Sequence, residues 1–162
     1  MEKIRQETTC LQVAKAICDL SDEDKTALQI QKIMYFSHML YMGENYQRLV
    51  KEPFLAWRFG PVVKKLHNYL ESVGVAHVGK HNFPDILPIM NEKGSPVEGY
   101  EKQVQTIKDG FDRFKQCSQE SLVRISRWPY GAWKLTCNNG KKIISDDLIL
   151  QEYRARYKNG NE

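Results

Sequence analysis

The sequence predicts a mainly α-helical, single-domain bundle of five to six helices around a central hydrophobic one. Three observations predict it. Apolar residues recur at the i, i+3, i+4, i+7 spacing of a buried helix face in segment after segment. One segment, "IMYFSHMLYM", is apolar in every direction around a helical wheel, as a helix surrounded by neighbours must be. And 162 residues suit one core but leave little room for two.

The elements follow in order. After Thr8 and Thr9, both good caps, Cys10, Val13, Ala14, Ile17 and Leu20 share one face and predict the first helix. Ser21 and Asp24 read as a capping-box start to the second, central helix, in which Ala27, Ile30, Ile33 and Met34 lie together. His38 on this helix reads as a buried imidazole satisfied by a carbonyl rather than as a ligand or base. Phe54, Trp57 and Phe59 then occupy an extended segment leading to a Gly-Pro pair. Gly60 as N-cap and Pro61 at the first helical position predict a third helix with the stripe Val62, Leu66, Tyr69 and Val73, closed by Gly74.

Residues 75–99 lose the helical period and contain Pro84, Pro88 and Pro96, which predicts a variable loop holding a small β-hairpin. Phe83, Ile86, Leu87, Ile89 and Met90 make this loop more apolar than a spacer requires. Helical spacing returns at Tyr100, Val104, Ile107, Phe111 and Phe114, weakened at Gly110 by roughly 1 kcal/mol relative to alanine. Ser118 caps a short helix through Leu122, Val123 and Ile125, and Pro129 and Gly131 interrupt it. The last helix has Ser145 as N-cap, Asp146 and Asp147 in its first turn and Arg154, Arg156 and Lys158 toward its end, charges that suit the macrodipole. The folded core should span residues 8–158.

Composition excludes several classes. Hydrophobic residues are 41% and charged residues 27%, so neither a disordered nor a fibrous chain is expected. The net charge of +4 is scattered rather than gathered into the stripe of a nucleic-acid binder, which makes DNA an unfavoured partner. No stretch reaches membrane-spanning length. Cys10, Cys18, Cys117 and Cys137 form no CxxC pair and, with the histidines, lack zinc-finger spacing, so no metal or other cofactor is expected and a reducing cytoplasm is the simplest compartment.

Four blocks carry a family resemblance. "IQKIMYFSH" (residues 30–38) is similar to a leucine-glutamine-lysine-leucine-leucine-tyrosine helix, placing Gln31, Lys32 and Tyr35 at its signature positions. "FLAWRFGPVV" (residues 54–63) matches an alanine-tryptophan, then glycine-proline-valine corner through Trp57, Gly60 and Pro61. "SQESLVRIS" (residues 118–126) resembles the short helix before a threonine-histidine pair, with Trp133 matching the tryptophan that follows. "IISDDLILQEY" (residues 143–153) resembles the last helix. Together they resemble the Panacea family, an antitoxin domain that includes SocA-like and GepA-like phage-associated proteins. The sequence departs from the pattern at Arg127, where the family usually has histidine, and any role of that histidine is not carried over.

The resemblance implies a bacterial, cytoplasmic interaction protein, prophage- or mobile-element-borne, that binds and neutralises a cognate protein toxin. The SocA-like branch implies in addition an adaptor role toward a protease such as ClpXP. Such work asks for exposed aromatic surface, and three stretches offer it: Phe54, Trp57 and Phe59; Trp128 and Tyr130; and Phe83, Ile86 and Leu87. No catalytic residue is assigned. The alternatives are a thiol hydrolase using Cys137 or Cys117, for which no motif context exists, and a DNA-binding regulator using Lys64, Lys65 and His67. The residue 54–59 corner is expected to tie the Tyr35 helix to the Pro61 helix and to present part of a partner-reading rim.

Overall fold

The computed structural model describes residues 7–158. Capping decides where its first two helices begin. Helix α1 (Cys10–Leu20) starts at Thr9, whose hydroxyl accepts from Gln12 N at 3.2 Å while Gln12 Oε1 accepts from Thr9 N at 3.1 Å. Helix α2 (Ala27–Asn45) repeats the device with Thr26 and Gln29, at 3.2 and 2.9 Å. The start at Ser21 and Asp24 expected from sequence is therefore displaced. Ser21 instead ends α1, giving its N–H to Cys18 O at 3.2 Å, and a Thr–Gln pair that satisfies two orphan donors at once fixes the α2 start.

As its pattern predicts, α2 is the central element: every residue from 30 to 42 is buried, and it packs against α1, α4, α5 and α7. Next comes an antiparallel hairpin, β1 (Leu55–Trp57) with β2 (Gly60–Val62), pairing Leu55 with Val62, Ala56 with Pro61 and Trp57 with Gly60. Two expectations change here. The hairpin lies at residues 55–62 and not in 75–99, and Gly60 and Pro61 belong to a strand, so α3 (Lys64–Val73) starts only after Val63. Gly60 adopts φ +103°, where an N-cap residue sits in the β region, and it pairs with Trp57 across the hairpin instead of opening a helix.

Residues 75–99 hold a 3-10 turn (Lys80–Asn82) and isolated bridges of Val78 with Lys25 and of Met90 with Pro96. Their apolar content is explained by burial: Phe83, Ile89 and Met90 enter the core, and Phe83 stacks on Tyr69 at 5.4 Å. Helix α4 (Glu101–Phe114) crosses α2 at Gly110, where a Cβ would collide with Ser37 Oγ, so the residue that weakens the helix permits its closest approach. Helices α5 (Gln119–Ser126), α6 (Ala132–Asn138) and α7 (Asp146–Tyr157) complete seven α-helices among the described residues. The additional one is α6, too short to show a period in sequence. Ser118 and Ser145 cap α5 and α7 as expected, accepting from Ser121 N at 3.1 Å and Leu148 N at 3.2 Å.

Candidate partner-binding surface

Two polar residues of α2, Gln31 and Lys32, turn inward and hold the hairpin. Gln31 pairs with the Val63 backbone in both directions: Val63 N donates to Oε1 at 2.9 Å, and Nε2 donates to Val63 O at 3.1 Å. Beside it Lys32, fully buried, donates from Nζ to Pro61 O at 2.8 Å. Proline has no N–H, yet its carbonyl is free to take this ammonium. Burial alone drives the Lys32 amine down to about 7. The space beneath Gly60 is already occupied, since a Cβ there would meet Ser126 Oγ and stand 3.2 Å from Lys32 Cε.

A second polar cluster joins four helices. Glu152 of α7 is buried, and its Oε1 accepts from Ala132 N at 2.7 Å and from Tyr35 Oη at 3.2 Å. Its Oε2 takes Arg156 Nε at 2.7 Å, and Arg156 Nη2 goes on to Ile125 O, also at 2.7 Å. Burial first, then the Glu152 charge and hydrogen bond, push the Tyr35 hydroxyl well above its ordinary range. The Arg156 guanidinium lies 4.7 Å from the Trp128 ring, so this tryptophan is half-buried against the cluster. Sequence reading missed Glu152 and Arg156; the signal was Glu152 at three residues from Ile149 and next to Tyr153, on the apolar face of its helix.

The residues of the family signature are thus used mainly inside. Trp133 is buried and donates its indole N–H to Trp57 O at 2.7 Å, locking the hairpin to α6. Arg127 is exposed and lies over the Trp133 ring at 4.7 Å. Of the stretches expected to meet a partner, Phe54 and Phe83 are each only 1% exposed and are withdrawn from it, because both rings fill the core. Trp57 is half-buried, edge-on to His67 at 4.9 Å. Ile86 packs against the core while Leu87 is exposed. Among these candidates, Phe59 at 50% and Tyr130 at 76% exposed are the rings that reach solvent, and Tyr130 stands edge-on to Trp128.

Around Phe59 the surface is concave. One hollow of about 420 Å3 runs between α2 and the hairpin, lined by Ala27, Gln31, Trp57 and Val62. Another of about 900 Å3 continues across α5, lined by Val123, Arg124, Arg127 and Pro129. Leu28 and Phe59 line both, so the two form one groove.

The other sequence candidates sort as follows. His38 is buried, its Nδ1 accepting from Val50 N at 3.1 Å, so its partner is an N–H and not the expected carbonyl. Burial, helped by the Arg48 charge, lowers its imidazole to about 3. Cys137 is exposed and Cys117 half-buried, and among the described residues neither sulfur bonds to a histidine. On α3, Lys65 pairs with Glu52 at 3.7 Å and His67 with Glu71 at 3.2 Å, which reduces the basic face considered for DNA. Among the described residues no group of His, Cys, Asp and Glu is arranged to hold a metal, and no helix is long and apolar enough to cross a membrane.

The fold is thus a helical domain whose central helix clamps a glycine-proline hairpin, with an aromatic groove left open beside it. Residues 30–134, well over half of the chain, match the family "Antitoxin SocA-like, Panacea domain", and the protein belongs to that family. It is also 27% identical over 159 residues to Antitoxin SocA of Caulobacter vibrioides (strain NA1000 / CB15N), an alignment covering 87% of this chain and 82% of that protein. No solved structure matches.

Proposed function

We propose that the protein is the antitoxin of a toxin–antitoxin pair and keeps its cognate protein toxin inactive by stoichiometric binding in the bacterial cytoplasm. The observation that carries this reading is the half-exposed Phe59 ring at the centre of a groove, on a hairpin braced from behind by Gln31, Lys32 and Trp133. A rigidly mounted aromatic ring at a concave surface loses little entropy on docking, which is what an interface anchor requires. Trp57 lines the same groove, and membership of the antitoxin family supports a toxin as the class of partner.

Neutralisation by occlusion asks nothing more of the chain than this surface. Co-expression with the product of the adjoining reading frame tests the reading. Restored growth and co-purification in equal amounts are expected, and failure of both removes it. If protection disappears in cells lacking a protease such as ClpXP, delivery replaces occlusion as the way the toxin is silenced.

A further inference from the structure

The groove around Phe59 has a chemistry that narrows what can fill it. Its floor is apolar, from Leu28, Val123, Val62 and Pro129, while its rim carries the guanidinium groups of Arg58, Arg124 and Arg127 against a single carboxylate, Glu120. All three arginines are exposed, and among the described residues none is in an ion pair; Arg58 and Arg127 rest over the Phe59 and Trp133 rings, at 5.4 and 4.7 Å. A guanidinium held over a ring makes no hydrogen bond to it that would use up its N–H donors, which remain for a carboxylate.

The hairpin itself excludes one mode of docking. The β1 edge is taken by Ala56 N donating to Lys142 O at 2.9 Å and by Ile144 N donating to Phe54 O at 2.9 Å. Beyond β2, Pro61 O and both polar groups of Val63 are occupied by Lys32 and Gln31. A partner therefore cannot add a strand here and must dock through side chains, as an amphipathic helix does in a groove.

We infer that the Phe59 groove receives an acidic amphipathic helix of the partner protein, with a large apolar side chain set beside Phe59 and flanking carboxylates on Arg58, Arg124 and Arg127. This rests on the antitoxin reading and adds the chemistry of the partner's binding segment. Charge complementarity selects the partner, and the apolar floor retains it.

The test uses the full chain and a designed probe, a helical peptide of about 16 residues with leucines at i, i+3, i+4 and i+7 and glutamates elsewhere. A second peptide keeps the leucines and replaces the glutamates by lysines. The acidic peptide should shift the amide resonances of Phe59, Val123 and Arg124, and its affinity should fall about tenfold between roughly 50 and 500 mM salt. Phe59→Ala should weaken it by about tenfold, and Arg124→Glu should weaken it and reduce the salt dependence that Arg58 and Arg127 still supply. Both positions are exposed, and an unchanged amide spectrum elsewhere certifies the fold; Arg58→Glu serves if Arg124→Glu perturbs it.

No shift at millimolar peptide, or equal binding of the two peptides, overturns the inference. So does self-association of the chain that Phe59→Ala abolishes, which would make a second copy the occupant, or the same amides shifting with duplex DNA. If the toxin complex forms but ignores Phe59→Ala and Arg124→Glu, the groove assignment falls while the antitoxin reading stands. If the acidic peptide binds as described but no toxin is neutralised, the groove chemistry stands and the function falls.

Discussion

Gly60, Pro61 and Val63 on one side of the hairpin and Arg58 and Phe59 at its turn are neighbours in the chain but meet opposite surroundings. The first group is buried, and its backbone is held by Gln31 and Lys32. The second is exposed and pairs with no carboxylate among the described residues. The difference separates folding from recognition. Residues that carry the family resemblance mostly hydrogen-bond one another and maintain the scaffold, and under the proposed function partner choice falls to the side chains that the scaffold holds out to solvent.

That separation can be broken by experiment. The largest effect is expected for Glu152→Ala, which leaves Arg156, Tyr35 Oη and Ala132 N without their common acceptor. We expect a loss of about 3–5 kcal/mol in urea unfolding, and a loss below about 1 kcal/mol would mean that the cluster does not brace the fold. Gly60→Ala should cost about 3 kcal/mol, because it combines a φ of +103° with a collision against Ser126; a thermally unchanged variant would show that the corner can rearrange.

Lys32 offers a smaller and pH-dependent effect. Its folded-state value of about 7 lies below the ordinary 10.5 of the unfolded chain, so the unfolded chain holds the extra proton between those values and stability rises with pH across that window. Unfolding of the wild type should gain about 2 kcal/mol from pH 7 to 9, a gain that Lys32→Met should lack. Equal slopes for both proteins would place water beside the ammonium. The smallest effect belongs to the outer face: Phe59→Ser should change stability by less than about 0.5 kcal/mol while impairing toxin protection. A stability loss comparable with that of Gly60→Ala would make Phe59 part of the scaffold and erase the contrast.

Much of the fold was legible in the sequence because local rules agreed with tertiary ones. The stripe of α4, the serine caps of α5 and α7 and the all-round apolar character of α2 each reflect one helix meeting one environment. The Gly-Pro corner was harder to read, since proline suits both a first helical turn and a strand without a donor, and a lysine 29 residues upstream decides between them. Long-range hydrogen bonds leave no period in a sequence. For the same reason the pair of buried Glu152 with Arg156 goes unread: Arg156 counts only among the charges at the helix end, and Glu152 not at all. At the groove, Phe59 was identifiable as an aromatic in an extended segment, whereas its companions, Leu28 of α2 and Val123 and Arg124 of α5, meet it only in three dimensions.

The position of Glu152 has a consequence for how the molecule is made. Its carboxylate gathers groups from residues 35, 132 and 156, so the ribosome must deliver the chain through α7 before these donors find their acceptor. A nascent or prematurely terminated chain lacking α7 keeps Tyr35 Oη and Ala132 N unsatisfied among greasy neighbours. Competence should therefore arrive all at once, when α7 joins the segments made before it.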